Sequence, residues 1–487
     1  MALFPKLSLF VLLQACSLCV CTVLDDYVNK PDPYYSYRAM KQPYKGDGFT
    51  TYFINMTSQK WLTDADTSRS VWWHYLLINV PDEVKYPELG FLWITGGHNS
   101  DGIPSLNDVD AEVTISLAAS TGVVTAALFQ VPNQPIIFTE DLNHKHRSED
   151  AVVAYTFYHY CNDVNNSEYV SYLPMTKAAV RAMDTMAEFV MEVNGADMTK
   201  FVVSGASKRG WTTWLTGAVD KRVIAIVPIV MDDLNFIENL HHHYQAYGGW
   251  TWAFHDYYDL NVTARLDDSC THSLFDFIDP LMYKDRLTMP KYIIDALGDE
   301  FFLPDDSNYF FDDLLGVKYM REIPDAEHSL IGHELNVLQS VRAFALSLLQ
   351  EYPLPKVSWQ LNQTSDSGSI SVQSDIEPTY IKLWHASTIG HARRDFRLLI
   401  GPDPDKPLPH PIIWESTNVT MTKDSSQQYV YEGKRDKPHE GWEGFTIEMG
   451  FPSPDGSLFE ITTQVNIIPN TFPFPDCHGK ECYGKLV

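Results

Sequence analysis

The sequence predicts an α/β fold with a mostly parallel sheet and helices on both of its faces, followed by a small all-β region. Between about residues 70 and 350, short apolar runs alternate with helical stretches. Beyond residue 352 the apolar runs are short, rich in β-forming residues and separated by turn signals. Alternating strands and helices imply βαβ units, whose parallel sheet is buried on both faces.

The elements of the α/β region follow from their periodicity and their end signals. Strands are predicted at 73–80, 89–95, 122–131, 201–204, 223–230, 291–297 and 318–323. Helices are predicted at 106–119, 175–193 and 208–218, and a last one ends near Glu351. The helix at 175–193 is the clearest, because Val180, Met183 and Val190 fall on one stripe and Asn194-Gly195 ends it.

A stretch of 58 residues, 232–289, interrupts the alternation and contains no predicted strand. It is rich in aromatic residues and histidine. Because it connects two strands of a parallel sheet, we expect it to form a cap over their carboxyl ends. The aromatic side chains expected to shape an apolar pocket there are Trp250, Trp252, Phe254, Tyr257 and Tyr258.

The segment Tyr352-Pro353-Leu354-Pro355 is predicted to be a linker between two domains. After it, strands are predicted at 357–361, 369–373, 380–385, 445–451 and 459–466. We therefore predict an α/β domain at 22–352 and a β-sandwich-like domain at 353–487.

Composition and charge exclude some functions. The 487 residues include 36 Lys and Arg against 63 Asp and Glu, which gives a formal net charge of −27. Such acidity argues against binding nucleic acid or anionic lipid by general electrostatics. Aromatic residues make up 13% of the chain, which excludes disorder for most of it.

The N-terminus predicts secretion. Lys6 precedes an apolar run at 7–21, and small residues occupy positions 19 and 21, which is typical of a signal peptide spanning residues 1–21 with cleavage near Thr22. A signal anchor is the alternative, but about 15 apolar residues are short for a bilayer span. No later segment is apolar for long enough, so we expect an extracellular protein without a membrane span.

Removal of the signal leaves four cysteines, Cys161, Cys270, Cys477 and Cys482. In an oxidising compartment an even number favours two disulfides, and we prefer Cys477–Cys482 with Cys161–Cys270. Zinc held by Cys477, His478 and Cys482 is the alternative, but no second ligand pair lies nearby in the sequence. Glycosylation is expected at the Asn-x-Ser/Thr triplets of Asn55, Asn165, Asn261, Asn362 and Asn418.

The stretch from Phe201 to Trp211 carries the strongest chemical signal. A strand runs into a helix through Gly205-x-Ser207-x-x-Gly210. A sharp turn at this junction lifts a serine Oγ above the sheet, and the helix N-terminus stabilises negative charge. The common pattern is Gly-x-Ser-x-Gly, and here Arg209 occupies the second glycine position. An ordinary strand-to-helix turn with a capping serine is the alternative.

The partners of a nucleophilic serine follow in chain order. Asp299 comes after the strand at 291–297, and His328 comes in a loop after the next strand, with spacings of 92 and 29 residues. The order Ser, Asp, His is that of α/β-hydrolases, in which the histidine activates the serine and the acid orients the histidine. The rival acids are Glu300, Asp305, Asp232 and Asp233.

An oxyanion hole is expected from the glycine-rich loop Gly96-Gly97-His98, which follows the strand at 89–95. Backbone N–H groups of Gly97, His98 and Lys208 would face the tetrahedral intermediate.

No metal or cofactor is expected. His241, His242, His243 and His255 resemble a metal site, but consecutive histidines on a helix point in different directions, which favours a polar face of the cap. The acidic residues between 305 and 313 lack the spacing of an EF-hand.

Five motifs resemble the family of PhoPQ-activated pathogenicity-related proteins, which includes secreted autocrine proliferation repressor proteins of amoebae. They lie at 24–28, 93–98, 204–212, 298–304 and 463–473. The resemblance covers nearly the whole mature chain and implies an α/β-hydrolase domain, a C-terminal β domain and similarity to serine peptidases and esterases. It places the nucleophile on Ser207, the acid on Asp299 and the base on His328.

Two functions follow as hypotheses. The first is a secreted serine hydrolase acting on a small ester or peptide substrate. The second is a secreted autocrine signal that represses proliferation or repels cells by binding a cell-surface receptor, with the hydrolase fold as scaffold. A scavenging or storage glycoprotein is a third interpretation.

Overall fold

The computed structural model describes residues 21–425 and 428–487. The predicted signal peptide therefore lies outside the described residues, except for Cys21. The helices are Val23–Asn29 (α1), Val109–Thr121 (α2), Asp150–Asn162 (α3), Tyr172–Asn194 (α4), Lys208–Val219 (α5), Phe236–Tyr247 (α6), His255–Asp259 (α7), Ser269–Ile278 (α8) and Glu334–Leu349 (α9).

The first half of the strands belongs to the α/β region: Ser36–Ala39 (β1), Tyr44–Lys45 (β2), Phe49–Lys60 (β3), Val71–Pro81 (β4), Leu89–Ile94 (β5), Val124–Leu128 (β6), Lys200–Ala206 (β7), Val223–Ile229 (β8), Lys291–Ala296 (β9) and Lys318–Ile323 (β10). The C-terminal strands are Val357–Gln363 (β11), Ser367–Ser374 (β12), Tyr380–Ser387 (β13), Leu399–Ile400 (β14), Leu408–Pro409 (β15), Glu415–Asn418 (β16), Thr420–Ser425 (β17), Gln428–Asp436 (β18), Glu443–Pro452 (β19), Leu458–Thr462 (β20) and Asn466–Ile468 (β21).

The central sheet has the strand order β1-β3-β4-β6-β5-β7-β8-β9-β10, and the six strands from β6 to β10 in this order are parallel. Its two faces bury alternate residues of each strand. On β5, Leu92 and Ile94 pack toward α4 and α5, whereas Phe91 and Trp93 pack toward α2 and α9. This arrangement confirms the predicted α/β-hydrolase fold, with helices on both faces of a mostly parallel sheet.

Two features of the sheet differ from the prediction. The long antiparallel strand β3 was missed, although it pairs with β4 over eleven register positions. The strand predicted at 122–131 is shorter, because Gly122 ends α2 in the left-handed conformation at φ 78° and Gln130 leaves the strand at φ 64°.

The connection between β8 and β9 holds α6, α7 and α8 and contains no strand, in agreement with the predicted cap.

The C-terminal region is β-rich, as predicted, and its sheets pack face to face. Ile370 and Val372 of β12 share one buried core with Leu383 of β13 and Ile447 of β19. The region is also joined to the central sheet, because Met320 of β10 pairs with Thr462 of β20 and β20 pairs with β19. The strand predicted at 459–466 divides into β20 and β21, which pair with different parts of β19.

Candidate active site

Ser207 lies at the sharp turn between β7 and α5. Its backbone adopts φ 57° and ψ −128°, a conformation that L-residues rarely hold, and its N–H donates to the carbonyl of Ile229 at 2.8 Å. Strained backbone of this kind is concentrated at functional sites, where neighbouring structure enforces it. The turn places the serine at the carboxyl edge of the sheet, as expected for a nucleophile elbow.

The two glycines of the motif are required by close packing. A Cβ on Gly205 would lie 2.8 Å from the carbonyl oxygen of Arg209, and a Cβ on Gly210 would lie 2.7 Å from the Cβ of Met231. The second glycine therefore occupies position 210 because helix α5 meets the end of β8 there. Position 209 can carry an arginine, since the side chain of Arg209 extends away from this contact toward Glu149.

The structure brings Ser207, His328 and Asp299 together. The Oγ of Ser207 lies 2.8 Å from Nε2 of His328, and Nδ1 of His328 lies 2.7 Å from Oδ2 of Asp299. The other oxygen of Asp299 accepts the N–H of Phe301 at 2.6 Å and that of Phe302 at 3.2 Å. These bonds fix the carboxylate, so it can hold the imidazole in one orientation.

The electrostatic surroundings of His328 favour its protonated form. Burial lowers the pKa of the imidazole, but the adjacent Asp299 carboxylate and then Glu300 raise it, and the net shift is upward. The centroid of the Phe301 ring lies 4.4 Å from that of the imidazole.

The rival acids occupy other positions. Glu300 accepts the backbone N–H of His328 at 3.2 Å, and burial together with Asp299 raises its pKa to about 7. Asp305 forms a buried ion pair with Arg394 and lies 3.3 Å from His242. Asp232 lies beside Asp295, which precedes Asp299 by four residues. Asp233 lines a cavity next to Ser207.

The loop 96–98 follows β5, and Gly96 lies against the side chain of Arg209 in α5. The N–H of His98 donates to the Asp101 carboxylate at 2.5 Å, so this amide already has an acceptor and is not available to an oxyanion. Gly97 adopts φ 122°, a conformation suited to glycine. Within residues 21–425 and 428–487, the N–H groups of Gly97 and Lys208 donate to no other group.

An ion-pair network behind the elbow was not anticipated from the sequence. The Nζ of Lys208 lies 3.0 Å from both Glu149 and Asp150, and the Arg209 guanidinium makes two bonds of 2.6 Å to Glu149. Although burial raises the pKa of Glu149, the two cations hold it well below its usual range. Glu149 and Asp150 begin α3, a helix that the hydrophobic periodicity of the sequence does not predict. Their position near Ser207 therefore had no sequence signal beyond two adjacent acidic residues.

A cavity of about 100 Å³ opens beside Ser207 and Lys208 and is lined mainly by aromatic and aliphatic side chains. Trp211 and Phe236 stack at 4.1 Å on one wall. Of the five predicted aromatic residues, Trp250, Phe254 and Tyr257 line the cavity. The other two point elsewhere: Trp252 donates to the carbonyl of Leu399, and Tyr258 stacks on Tyr483.

The histidines of the cap have separate partners. His241 contacts Asp476 at 2.7 Å and Asp267 at 3.0 Å, whereas His242 contacts Asp306 at 2.8 Å. His243 accepts the N–H of Thr251 at 3.1 Å. These directions agree with the prediction that consecutive histidines on a helix diverge.

The predicted disulfide pairing is confirmed. Cys161 is bonded to Cys270, and Cys477 is bonded to Cys482, so neither tail cysteine is a free thiolate that could hold zinc. The carbonyl of Cys482 also accepts the indole N–H of Trp250 at 2.8 Å, which ties the C-terminal tail to the cavity.

The predicted glycosylation sites differ in exposure. Asn165, Asn261, Asn362 and Asn418 are exposed, whereas Asn55 is half-buried within β3.

Among the described residues, no helix combines the length and the apolar character needed to cross a membrane.

Comparison with known proteins identifies the family. The family model described as PhoPQ-activated pathogenicity-related protein matches residues 24–397. The chain belongs to this family. Within the PhoPQ-activated pathogenicity-related proteins, it is 38% identical over 98% of its length to autocrine proliferation repressor protein A of Dictyostelium discoideum, 97% of which is covered.

Solved structures similar to this member of the PhoPQ-activated pathogenicity-related family include two acetyl xylan esterases. The enzyme from Paenibacillus sp. R4 has a TM-score of 0.46 and 16% identity, over 66% of this chain and 92% of the esterase. The enzyme from Thermoanaerobacterium sp. JW/SL YS485 has a TM-score of 0.42 and 16% identity, over 65% of this chain and 92% of the esterase.

Proposed function

We propose that the protein is a secreted serine hydrolase that cleaves an ester or peptide bond through Ser207, His328 and Asp299. The observation that carries this proposal is the continuous chain of hydrogen bonds from Asp299 through His328 to the Oγ of Ser207. A serine hydroxyl is a poor nucleophile at neutral pH and needs such a base. The neighbouring cavity supplies a place for the substrate next to the nucleophile.

In the first step, the Oγ of Ser207 attacks the carbonyl carbon of the substrate. The Nε2 of neutral His328 takes the hydroxyl proton as the new C–O bond forms, and Asp299 stabilises the resulting imidazolium through Nδ1–H. The upward shift of the His328 pKa favours this proton transfer, because it makes the imidazole a stronger base.

The tetrahedral intermediate carries a negative oxygen that needs donors. The N–H groups of Gly97 and Lys208 fill this role. Lys208 directly follows Ser207, Gly97 lies in the loop after β5, the strand that neighbours β7, and neither group donates elsewhere in the described part of the chain. Lys208 is also the first residue of α5, so the positive end of the helix dipole adds to the stabilisation. Loss of one such donor typically costs about 3 kcal/mol of transition-state stabilisation.

Collapse of the intermediate breaks the bond to the leaving group, which receives the proton from His328. Water then attacks the acyl-serine with His328 as base, releases the acid and restores Ser207.

The aromatic lining of the cavity favours an apolar group on one side of the scissile bond. The two disulfides and the predicted signal peptide support action outside the cell.

A fluorophosphonate probe tests the proposal without knowledge of the substrate. The purified protein is incubated with the probe, and the labelled residue is located by mass spectrometry. We expect labelling at Ser207 that is abolished in Ser207→Ala. Ser329→Ala is the matched control, since this exposed serine follows His328 directly and donates to Glu327 rather than to the triad. Absence of labelling, or labelling that Ser207→Ala leaves unchanged, would refute the proposal.

A second function is favoured by one comparison. The 38% identity to autocrine proliferation repressor protein A extends over nearly the full length of both chains. An autocrine signal that slows proliferation by binding a cell-surface receptor is therefore the alternative. On this alternative the hydrolase fold serves as a scaffold.

The two functions are separated by one comparison of variants. Purified wild-type protein and Ser207→Ala protein are added to dividing cells at equal concentration, and the doubling time is measured. Equal slowing by both proteins supports receptor binding without catalysis. Slowing by wild type alone shows that hydrolysis is required for the effect.

A further inference from the structure

Three carboxylates lie together at the carboxyl edge of the sheet, outside the proposed triad. Asp295 of β9 and Glu322 of β10 are register partners on adjacent parallel strands, and Asp232 follows the end of β8. All three are buried, with exposed fractions of 1% for Asp232, 4% for Asp295 and 1% for Glu322. Three neighbouring strands therefore bring three acids to one point beneath the active site.

The oxygens of this cluster converge and lack donors. One carboxylate oxygen from each residue lies within 4.8 Å of the other two. In addition, Oδ1 of Asp232, Oδ2 of Asp295 and Oε1 of Glu322 are buried without a hydrogen-bond partner among the described residues. The N–H of Met231, which donates to Oδ1 of Asp295 at 3.0 Å, satisfies only one oxygen of the cluster.

The charged side chains around Asp232, Asp295 and Glu322 do not neutralise the three carboxylates. The charged side chains that act most strongly on the three carboxylates are themselves acids, namely Asp233, Asp299, Asp305 and Asp306. Burying carboxylates without partners costs free energy, and folded proteins offset this cost with a cation, hydrogen bonds or bound protons. The unpartnered oxygens point to a cation as the missing component.

We propose that Asp232, Asp295 and Glu322 bind a calcium ion. Hard divalent cations prefer carboxylate oxygens, and Ca²⁺ takes several of them in flexible geometry. Mg²⁺ dehydrates reluctantly and is usually held by one or two carboxylates together with several waters. Three buried carboxylates therefore suit Ca²⁺ better.

The consequence is structural. The ion would join the ends of β8, β9 and β10, and Asp299 lies four residues beyond Asp295. It would hold the strand ends from which the triad acid extends without touching Ser207 or His328. The inference does not depend on the proposed hydrolase activity.

Calcium binding is measured directly on the mature, disulfide-bonded chain. The protein is stripped with EGTA, dialysed into metal-free buffer and titrated with CaCl₂ by calorimetry, and thermal unfolding is followed with and without CaCl₂. We expect one Ca²⁺ per chain and a rise in Tm. Titration with MgCl₂ should show weaker binding.

Variants locate the site. Glu322→Gln should weaken Ca²⁺ binding by at least about 10–100-fold, the loss typical even of a residue that only supports a ligand, because it removes a charged ligand. It should also abolish the rise in Tm. In metal-free buffer the same variant should unfold at a higher temperature than wild type, since it relieves repulsion among the acids. Glu448→Gln is the matched control, because Glu448 is a buried carboxylate that accepts the indole N–H of Trp384 in the C-terminal region.

Three results would overturn the proposal. The first is a wild-type protein that binds no Ca²⁺ and shows no change in Tm. The second is a Glu322→Gln protein that binds Ca²⁺ as wild type does. The third is tighter binding of Mg²⁺ than of Ca²⁺, which would reject the assignment of the ion.

Discussion

The Oγ of Ser207 lies 2.8 Å from Nε2 of His328, although 121 positions separate the two residues in the chain. Ser207 is held by the turn between β7 and α5, and His328 is held by a loop after β10 that also contacts Glu300. Two independently anchored elements thus place a hydroxyl in hydrogen-bond contact with an imidazole. This contact allows the reactivity of the site to be tested by changing each neighbour in turn.

Asp299→Asn should lower the rate of fluorophosphonate labelling by roughly 10³–10⁴-fold. An amide at this position preserves the shape but cannot stabilise the imidazolium and favours the wrong tautomer of His328. The second-order rate constant for labelling at pH 7.5 is the measurement. Asp312→Asn, at an exposed acid in the same connection between β9 and β10, should label as wild type does. A rate for Asp299→Asn within tenfold of wild type would contradict the role of Asp299.

Glu300→Gln should shift the pH dependence of labelling to lower pH. The reactive form of His328 is neutral, so the labelling rate rises with pH through its pKa, and that pKa is raised by Asp299 and then by Glu300, against the effects of burial and of Lys208. In wild type the midpoint of the rise should therefore lie above the ordinary histidine value of about 6.5. Removal of the Glu300 charge lowers the pKa and moves the midpoint downward.

The control for this shift is Glu334→Gln, which removes an exposed acid six residues beyond His328. Solvent and salt screen such a charge, so the midpoint should stay in place. An unchanged or higher midpoint in Glu300→Gln would show that Glu300 does not act on the base.

Glu149→Gln should destabilise the fold by about 2 kcal/mol. The change leaves the buried Arg209 guanidinium without its carboxylate and leaves Lys208 with Asp150 alone. Breaking a fully buried pair costs about 3–5 kcal/mol, and the Glu149 side chain is 40% exposed, which reduces the figure. The free energy of unfolding in urea is the measurement. Glu168→Gln breaks the exposed pair with Lys30 and should cost less than about 1 kcal/mol.

The fold class could be predicted from the sequence because the buried strands and the helix at 175–193 have strong hydrophobic periodicity. The cap was predicted from the length and aromatic composition of the connection at 232–289. The pair Cys477–Cys482 was predicted from their proximity in the sequence, which left Cys161–Cys270 as the second pair. The proximity of Ser207, Asp299 and His328 was expected from their order after successive strands, since parallel strands end at the same edge. Their catalytic roles remain predictions.

The missed features depend on contacts between distant segments. Strand β3 is stabilised by pairing with β4 and β1, and helix α3 is fixed by the disulfide from Cys161 and by the ion pairs of Glu149. The continuity of the sheet rests on the pairing of Met320 with Thr462, which no local pattern encodes. Likewise, the acids at 232, 295 and 322 are far apart in sequence and meet only because β8, β9 and β10 are neighbours.

Gly210→Ala should destabilise the protein by about 1–3 kcal/mol. Alanine favours a helix by about 1 kcal/mol over glycine, but its Cβ would lie 2.7 Å from the Cβ of Met231 and 2.9 Å from the carbonyl oxygen of Ile229. The backbone of Ile229 cannot shift without a large energetic cost, so the steric clash outweighs the gain in helix propensity. Gly102→Ala is the control, because nothing lies within 4 Å of a Cβ at that position. Thermal unfolding of both variants distinguishes a packing effect from a general intolerance of alanine.

The two disulfides should differ in their contribution to stability. Cys161 and Cys270 are 109 positions apart, whereas Cys477 and Cys482 are 5 apart. Loop-closure entropy grows with the logarithm of this separation, so the double variant Cys161→Ser/Cys270→Ser should lose about 2.7 kcal/mol more than Cys477→Ser/Cys482→Ser. The free energy of unfolding in guanidinium chloride measures both losses. If the tail variant loses as much or more, loop-closure entropy does not decide the difference between the two disulfides.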